Sequence, residues 1–405
     1  MEIRLPLLLD GATGTELQKC GLCGNTSTEE WVLSHPDSIG GIQRGYVGAG
    51  SRVVYAPTFG ANRQKLEEHG IFNKVEEYNP RLVGLSRASA GDRAYVAGDM
   101  SPTGLFLRPV GQTPFEELVD IYTEQAAALE SAGVDLFAVE TMMTLSDARA
   151  AVLAIKSVSD KPVFVTFSCN EDGHTIAGED IVCALTVLEG MGIDAFGLNC
   201  SAGPREMLPV LERLHEYARV PLIAKPNAGL PQIIDGKAVY DCPAEEFASY
   251  VPEMLRCGVA VFGGCCGTTS EHIAALGKAL EGAKITPPAP MHADMLPAAT
   301  EKAAVYLPPD AAHGDIIDIT AALEDDIAAA LDSAFPMVAI RFNAWEDIDA
   351  FSDCRHMLTK PLCAVCDDAD ILESVLRTYQ GRALYEGALS PEALAPLCAG
   401  YGLII

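Results

Sequence analysis

Eight short apolar runs recur along the first 285 residues, and each is followed by a polar or glycine-rich turn. The runs are centred near residues 8, 54, 96, 137, 165, 197, 223 and 262. Segments with helical spacing lie between several of them, at 114–133, 146–159, 204–218 and 269–282, with Ser146 as the expected N-cap of the second. This alternation predicts parallel βαβ units, and eight of them in about 285 residues match a (β/α)8 TIM barrel of the α/β class. A doubly wound sheet is the alternative. Residues that could bind a ligand or take part in catalysis follow nearly every run, and this favours the closed barrel.

The chain continues beyond the eighth unit with a change of composition. Residues 286–300, "TPPAPMHADMLPAAT", are rich in Pro and Ala and predict a linker. Residues 301–405 then resume the alternation of apolar runs and helical patterns, but they are too few for a second barrel. We therefore expect a barrel over 1–285, a linker over 286–300 and a small α/β domain over 301–405.

The balance of charge excludes several classes of partner. The chain carries 56 acidic against 28 basic residues, a net charge of −28, which is the wrong sign for nucleic acid or an anionic membrane surface. No run approaches the ~18 apolar residues of a membrane span, and the N-terminus lacks a signal-peptide layout. Thirteen cysteines without an export signal indicate reduced thiols. We expect a cytoplasmic protein.

Three cysteines stand at the ends of two predicted strands. Cys265 and Cys266 are adjacent in "AVFGGCCGTT", and Cys200 closes "FGLNC". The carboxyl ends of barrel strands share one face, so these thiols are predicted to converge. Three cysteine ligands with an open fourth position are typical of catalytic zinc, and a substrate thiol bound there would be held as thiolate. The alternative is that each cysteine is a small buried apolar residue.

Two C-x2-C pairs compete for a metal assignment. The spacing is typical of half of a structural zinc site, and it occurs at Cys20 with Cys23 and at Cys363 with Cys366. Strand alternation would direct Cys363 and Cys366 to opposite faces. We interpret all four as core or surface thiols.

Two carboxylates at strand ends suit an amino-acid substrate. Asp10 and Glu140 follow the first and fourth runs and would receive an ammonium group, while the helix start after Asp10 offers backbone N–H groups to a carboxylate. Asp10 as a helix N-cap and Glu140 in a buried ion pair are the alternatives. Other strand ends supply candidate substrate-pocket residues: Thr58, Phe59, Asn199 and Asn227.

Several motifs together carry a family resemblance over about residues 5–283. They are "LLLDGATGTELQKCG", "TFGANRQKLEEHG", "FGLNCSAGP", "KPNAGLP" and "VFGGCCGTT". Together they resemble the homocysteine S-methyltransferase family, and "TFGAN" is most similar to the N-terminal homocysteine-binding module of its cobalamin-dependent methionine synthase branch.

The resemblance implies a (β/α)8 barrel that transfers a methyl group to the thiol of homocysteine and forms methionine. It implies zinc as the cofactor and a methylcorrinoid protein or a small molecule as methyl donor. The alternative is a non-catalytic zinc- or thiol-binding module of a larger methyltransferase complex. Matched position by position, the zinc ligands are Cys200, Cys265 and Cys266, and the homocysteine site is Asp10, the backbone of Gly11 and Ala12, and Glu140.

The chain departs from the family pattern in two places. Ala56-Pro57-Thr58 stands where that branch has Thr-Asn-Thr, which removes one polar contact near the expected substrate. Residues 360–387 resemble a piece of the folate-binding barrel that follows this module in the full enzyme. The resemblance thus makes 301–405 a candidate shortened relative of that barrel.

Overall fold

The computed structural model describes residues 4–108, 110–234 and 237–405, and it divides into two compact units. Unit 1 comprises 1–173, 194–216 and 220–288, and unit 2 comprises 174–193, 217–219 and 289–405. No helix among the described residues combines the length and apolar character needed to cross a bilayer.

All eight predicted runs form strands of one parallel sheet in unit 1. In chain order the strands of this unit are β1 (Leu7–Leu8), β2 (Val53–Tyr55), β3 (Tyr95–Met100), β4 (Leu136–Met142), β5 (Val163–Phe167), β6 (Ala195–Asn199), β7 (Leu222–Lys225), β8 (Gln232–Ile234), β9 (Lys237–Val239) and β10 (Val259–Phe262). β8 and β9 form a separate antiparallel hairpin, and the others are ordered β1-β10-β7-β6-β5-β4-β3-β2.

The parallel sheet curls into a nearly closed barrel. Its two end strands approach each other where the Arg52 N–H donates to the Leu8 carbonyl at 2.8 Å and the Ser51 hydroxyl donates to the Leu9 carbonyl at 2.9 Å. Buried side chains from every barrel strand or its immediate end fill the interior, from Leu9 and Tyr55 to Ile223 and Val261. The (β/α)8 prediction is confirmed, because a doubly wound sheet has no such common interior.

The helices follow the predicted alternation. They are α1 (Gly14–Lys19), α2 (Thr28–Ser34), α3 (Pro36–Gly48), α4 (Arg63–Glu68), α5 (Val75–Ala90), α6 (Phe115–Ser131), α7 (Leu145–Val158), α8 (Ile181–Gly190), α9 (Pro204–His215), α10 (Ala244–Ser249), α11 (Val251–Arg256), α12 (Ser270–Ala279), α13 (Leu323–Asp332), α14 (Trp345–Cys354), a 3-10 turn (Arg355–Met357), α15 (Ala369–Thr378) and α16 (Pro391–Tyr401). The N-cap of α7 is Thr144 and not Ser146, because Thr144 has the extended backbone from which its hydroxyl accepts the Asp147 N–H.

Unit 2 is a small α/β assembly that includes α8 and the C-terminal helices. Its strands are β11 (Leu296–Ala299), β12 (Ala304–Leu307), β13 (Ile317–Asp318), β14 (Val338–Arg341), β15 (Leu362–Val365) and β16 (Leu384–Glu386). The last four form a parallel sheet in sequence order, while β11 and β12 form an antiparallel pair. Strand β11 lies within the stretch predicted as a linker.

The competing C-x2-C cysteines differ in their burial. Cys20 and Cys23 are exposed, whereas Cys363 and Cys366 are both buried. Cys363 packs in the core of unit 2 with Ala339. The interpretation of these residues as surface or core thiols agrees with their placement.

Candidate active site

Three thiols meet at the carboxyl end of the barrel. Cys200 follows β6, and Cys265 and Cys266 follow β10; their sulfur atoms all lie within 4.8 Å of one another, with Cys200 Sγ 3.9 Å from Cys266 Sγ. Zn–S bonds of ~2.3 Å at tetrahedral angles separate two sulfurs by ~3.8 Å. The three sulfur ligands and the distances between them therefore fit a soft divalent ion.

Glycines before the cysteine pair permit close packing of the turn. A Cβ on Gly264 would overlap the side chain of Thr268, and one on Gly263 would lie 3.0 Å from the Asp10 carbonyl oxygen. The glycines thus bring this turn against the end of β1, where the Gly264 N–H donates to the Asp10 carbonyl at 3.0 Å.

Backbone strain is concentrated at the ends of β4 and β6. Thr141, Cys200 and Ser201 have positive φ values of 62°, 57° and 56°, a region that costs non-glycine residues ~1 kcal/mol or more. The Asn199 side chain holds this geometry: its Oδ1 accepts the Thr141 N–H at 3.0 Å, and its Nδ2 donates to the Thr141 hydroxyl at 2.7 Å.

Hydrogen bonds among the thiols favour one shared negative charge. Hydrogen bonds from Cys265 and Cys266 lower the pKa of Cys200 to about 3, while the hydrogen bonds of Cys265 with Cys200 and Cys266 raise the pKa of Cys265. The hydrogen bond to Cys200 likewise raises the pKa of Cys266 to about 11.

Polar side chains around the sulfurs support that charge. Asn199 Nδ2 lies 3.8 Å from Cys265 Sγ, and hydrogen bonds link the Asn227 side chain to Cys200 and the Tyr240 side chain to Cys266. Asn199 and Asn227, predicted as substrate-pocket residues, thus contact the sulfurs themselves. Amide and hydroxyl donors of this kind orient metal ligands and tune their basicity.

Beside the thiols lie three carboxylates and one lysine, Asp10, Asp99, Glu140 and Lys225, which we call the charged cluster. Lys225 ends β7 with its side chain only 3% exposed; its Nζ lies 2.5 Å from Glu140 Oε1 and 3.9 Å from Asp10 Oδ1. The same ammonium stands 3.7 Å from the centre of the Tyr55 ring. Glu140 therefore forms the buried ion pair that the sequence left open.

Burial perturbs the acids of the charged cluster. Desolvation raises the pKa of Asp10 to about 7, although Lys225 and the Tyr55 N–H oppose it. Desolvation and the charge of Glu140 raise the pKa of Asp99 well above its usual range. Burial lowers the pKa of Lys225, but Glu140 and other neighbours outweigh it and leave the pKa above its usual range. Within the charged cluster, the single ammonium of Lys225 thus faces three buried carboxylates.

Thiols and charged cluster line one cavity of about 270 Å³. The predicted residues Asp10, Gly11, Ala12, Phe59, Glu140, Cys200, Cys265 and Cys266 line it. Thr58 has a different position: it is fully buried, its hydroxyl donates to the Asp99 carbonyl at 2.9 Å, and it accepts the Asp99 N–H at 3.0 Å. Thr58 thus joins β2 to β3.

The start of α1 offers fewer free donors than the sequence suggests. Asp10 is not the N-cap of this helix, since its Oδ2 accepts the Tyr55 N–H at 2.7 Å. The Ala12 N–H donates to the Thr268 hydroxyl at 3.0 Å, and the Ala12 carbonyl accepts from Tyr46 at 2.7 Å. The tertiary structure has already satisfied the Ala12 amide.

The strand-end rule also finds Asp99, near the end of β3, but sequence reasoning gave it no role, and it missed Lys225 and Tyr240 as site residues. Lys225 closes the apolar strand β7, so the same rule would have found it. Tyr240 follows the β8–β9 hairpin, and no local pattern marks it.

Comparison with known proteins identifies the family to which this barrel is related. The sequence pattern of the family described as homocysteine S-methyltransferase matches residues 7–280. Methionine synthases of Mycobacterium leprae and Mycobacterium tuberculosis are 35% and 33% identical over 289 and 300 residues, which is 65% and 68% of this chain but 23% and 24% of those proteins. The chain thus matches about a quarter of the length of these relatives.

Solved structures of a homocysteine methyltransferase share the fold of this chain. The oxidized form of the homocysteine methyltransferase MmuM from Escherichia coli is 25% identical with a TM-score of 0.58, covering 67% of this chain and 95% of that one. Its metallated form has the same fold at 24% identity and a TM-score of 0.59, covering 67% and 96%. With a barrel, a thiol triad and a pattern match over two thirds of its length, the chain belongs to the homocysteine S-methyltransferase family.

Proposed function

We propose that this protein transfers a methyl group to the thiol of homocysteine, forming methionine, with zinc held by Cys200, Cys265 and Cys266. The observation that carries the proposal is the convergence of three sulfurs within 4.8 Å in the cavity that also holds buried carboxylates. When bound there, zinc lowers the pKa of a substrate thiol and keeps it as a thiolate.

The chain's own residues position the substrate. The carboxylates of Asp10 and Glu140 make the cavity wall acidic and support binding of an ammonium group, while Gly11 and Ala12 provide the backbone beside it. Asn199, Asn227 and Tyr240 hold the cysteine sulfurs in place. Holding the thiol and the donor in contact converts a bimolecular step into an effectively unimolecular one.

The chemical step is a simple displacement. The thiol proton leaves to solvent on binding, the sulfur lone pair forms an S–C bond with the donor's methyl group, and the bond from that carbon to its leaving group breaks with its electrons on the donor. A methylcorrinoid protein is the donor that the motif resemblance to the methionine synthase branch favours, and a small methyl donor is the alternative.

A donor screen tests the proposal. The zinc-loaded full chain is incubated with homocysteine and, in parallel, methylcobalamin, S-methylmethionine, S-adenosylmethionine or betaine, and methionine is measured by mass spectrometry. We expect methionine with at least one donor. Cys266→Ala should abolish it, whereas Cys257→Ala, a buried cysteine outside the site, should retain it.

The other outcomes separate the alternatives. Zinc-dependent binding of homocysteine with no methionine from any donor would favour a non-catalytic binding module. Turnover that survives in Cys266→Ala would refute the assignment of the thiol triad.

A further inference from the structure

A second group of metal-binding side chains lies in unit 2, and the proposed methyl transfer uses none of them. One ring nitrogen of His313, the Sγ atom of Cys363 and a carboxylate oxygen of Glu386 all lie within 4.8 Å of one another. Each residue comes from a different element: His313 from the loop between β12 and β13, Cys363 from β15, and Glu386 from the end of β16. We call these three residues the unit 2 cluster.

The register of the sheet places Cys363 and Glu386 on the same face. Cys363 pairs with Leu384 and Val365 pairs with Glu386, and residues two apart along a strand face the same side. Cys363 is only 4% exposed, whereas the side chain of Glu386 is 53% exposed. The unit 2 cluster therefore extends from a buried sulfur to a carboxylate in contact with solvent.

His313 is oriented as a metal-binding histidine. Its Nδ1 lies 2.6 Å from the Gly314 carbonyl oxygen, which can only accept a hydrogen bond, so Nδ1 carries a proton. Its Nε2 faces Glu386, with 2.7 Å between Nε2 and Oε2. In a neutral ring Nε2 bears a lone pair, and a carboxylate oxygen repels it unless a proton or a metal cation lies between the two atoms. Backbone carbonyls hold the second nitrogen of metal-bound histidines in the same way.

An ion pair of protonated His313 with Glu386 is the alternative explanation of their contact. It leaves the third member of the cluster without a role, because a surface ion pair does not need a buried thiol beside it. A metal ion uses all three side chains, since each supplies one ligand atom.

We propose that His313, Cys363 and Glu386 bind a divalent transition-metal ion, with zinc as the best match and water as the fourth ligand. Imidazole, thiolate and carboxylate are all zinc ligands, whereas calcium and magnesium require oxygen ligands. Zn–N and Zn–O bonds at tetrahedral angles separate the two ligand atoms by ~3.3 Å, so the ion replaces the contact between His313 and Glu386 after a displacement of ~0.6 Å. The exposed side chain of Glu386 permits that displacement.

Binding of the ion has two physical consequences. The thiol proton of Cys363 leaves to solvent as the sulfur becomes a ligand. The ion also joins the loop between β12 and β13 to β15 and β16, so it stabilises the folded state of unit 2. This site is independent of the thiol triad and of the proposed function.

Zinc binding to a full chain that lacks the thiol triad tests the site. Metal-free, reduced Cys200→Ala/Cys265→Ala/Cys266→Ala is titrated with zinc in competition with a chromophoric chelator, and circular dichroism checks that each variant is folded. We expect this chain to bind one zinc ion. Adding Cys363→Ala should abolish the binding. Adding Glu386→Gln should weaken it at least about tenfold, which is the loss expected even for a group that only supports a ligand.

Cys366→Ala is the matched control, because Cys366 belongs to the same C-x2-C spacing and is also buried. Its thiol donates to the Asp368 carbonyl at 3.2 Å, so adding this substitution should leave zinc binding unchanged. If Cys363→Ala does not fold, His313→Gln changes a partly exposed side chain and should also weaken binding at least about tenfold. If the chain without the triad does not fold, Cys363→Ala in the wild-type chain should lower the zinc content from two ions to one.

The results that would overturn the unit 2 site are specific. They are no zinc bound by the folded chain without the triad, zinc binding that survives Cys363→Ala, and a loss with Cys366→Ala equal to that with Cys363→Ala. Each of these measurements leaves the donor screen unaffected, so the proposed function succeeds or fails separately.

Discussion

Replacing Asp10 by Asn should stabilise the ligand-free protein, and only at neutral to alkaline pH. The carboxyl group is 1% exposed, one of its oxygens accepts no hydrogen bond from the described residues, and burial raises its pKa from 3.8 to about 7. A pKa displacement of that size corresponds to ~4 kcal/mol of free energy between the charged and neutral forms. Ionisation of Asp10 therefore lowers the free energy of unfolding by about this amount.

The sign of the effect follows from the direction of the pKa change. Because the folded pKa lies above the unfolded one, the folded state binds the proton more tightly, and stability is lost as pH rises from about 4 through about 7. Asn resembles the neutral acid and keeps an acceptor for the Tyr55 N–H. We therefore expect little difference at about pH 4 and a gain approaching ~4 kcal/mol at about pH 8.

Urea unfolding of the ligand-free full chain, followed by circular dichroism across this pH range, measures the effect. The exposed Asp92→Asn provides a matched control and should change stability little at any pH. A variant that is less stable than wild type at about pH 8, or a gain that does not depend on pH, would refute the reasoning. The same substitution should weaken homocysteine binding. The ionised carboxylate of Asp10 would then destabilise the ligand-free fold because it is needed to bind the substrate.

Other predictions concern the metal and the barrel. Cys265→Ala should lose bound zinc, measured by atomic emission, with an unchanged circular dichroism spectrum, because the thiols lie at the barrel end; full zinc occupancy would contradict the assignment. Gly197→Ala should destabilise the barrel by ~1–3 kcal/mol or more in urea unfolding, since its Cβ would overlap a carbonyl oxygen of β7. Gly84→Ala, exposed and unobstructed in α5, is the control and should be neutral or stabilising. Asn199→Ala should cost ~1–3 kcal/mol, because the Thr141 N–H and hydroxyl lose their partner; an unchanged unfolding midpoint would contradict the role given to Asn199.

The sequence alone determined the barrel and the position of the thiols. Apolar runs separated by helical patterns impose parallel strands, and the carboxyl ends of parallel barrel strands all reach one face. Cys200, Cys265 and Cys266 follow two such strands, so their convergence needs only the topology and not the details of packing. The same argument brought Asp10 and Glu140 to the same cavity.

Tertiary structure alone decided how those groups are paired. Lys225 on β7 reaches Glu140 on β4, and these strands are not neighbours in the sheet, so neither alternation nor spacing indicates the contact. Local sequence likewise cannot show that the Ala12 amide donates to Thr268, which lies 256 residues further along the chain. Periodicity along a chain fixes which face a side chain occupies, because that depends on local backbone geometry. Which charges meet across the interior depends on strand tilt, side-chain length and burial, and these exist only once the barrel has formed.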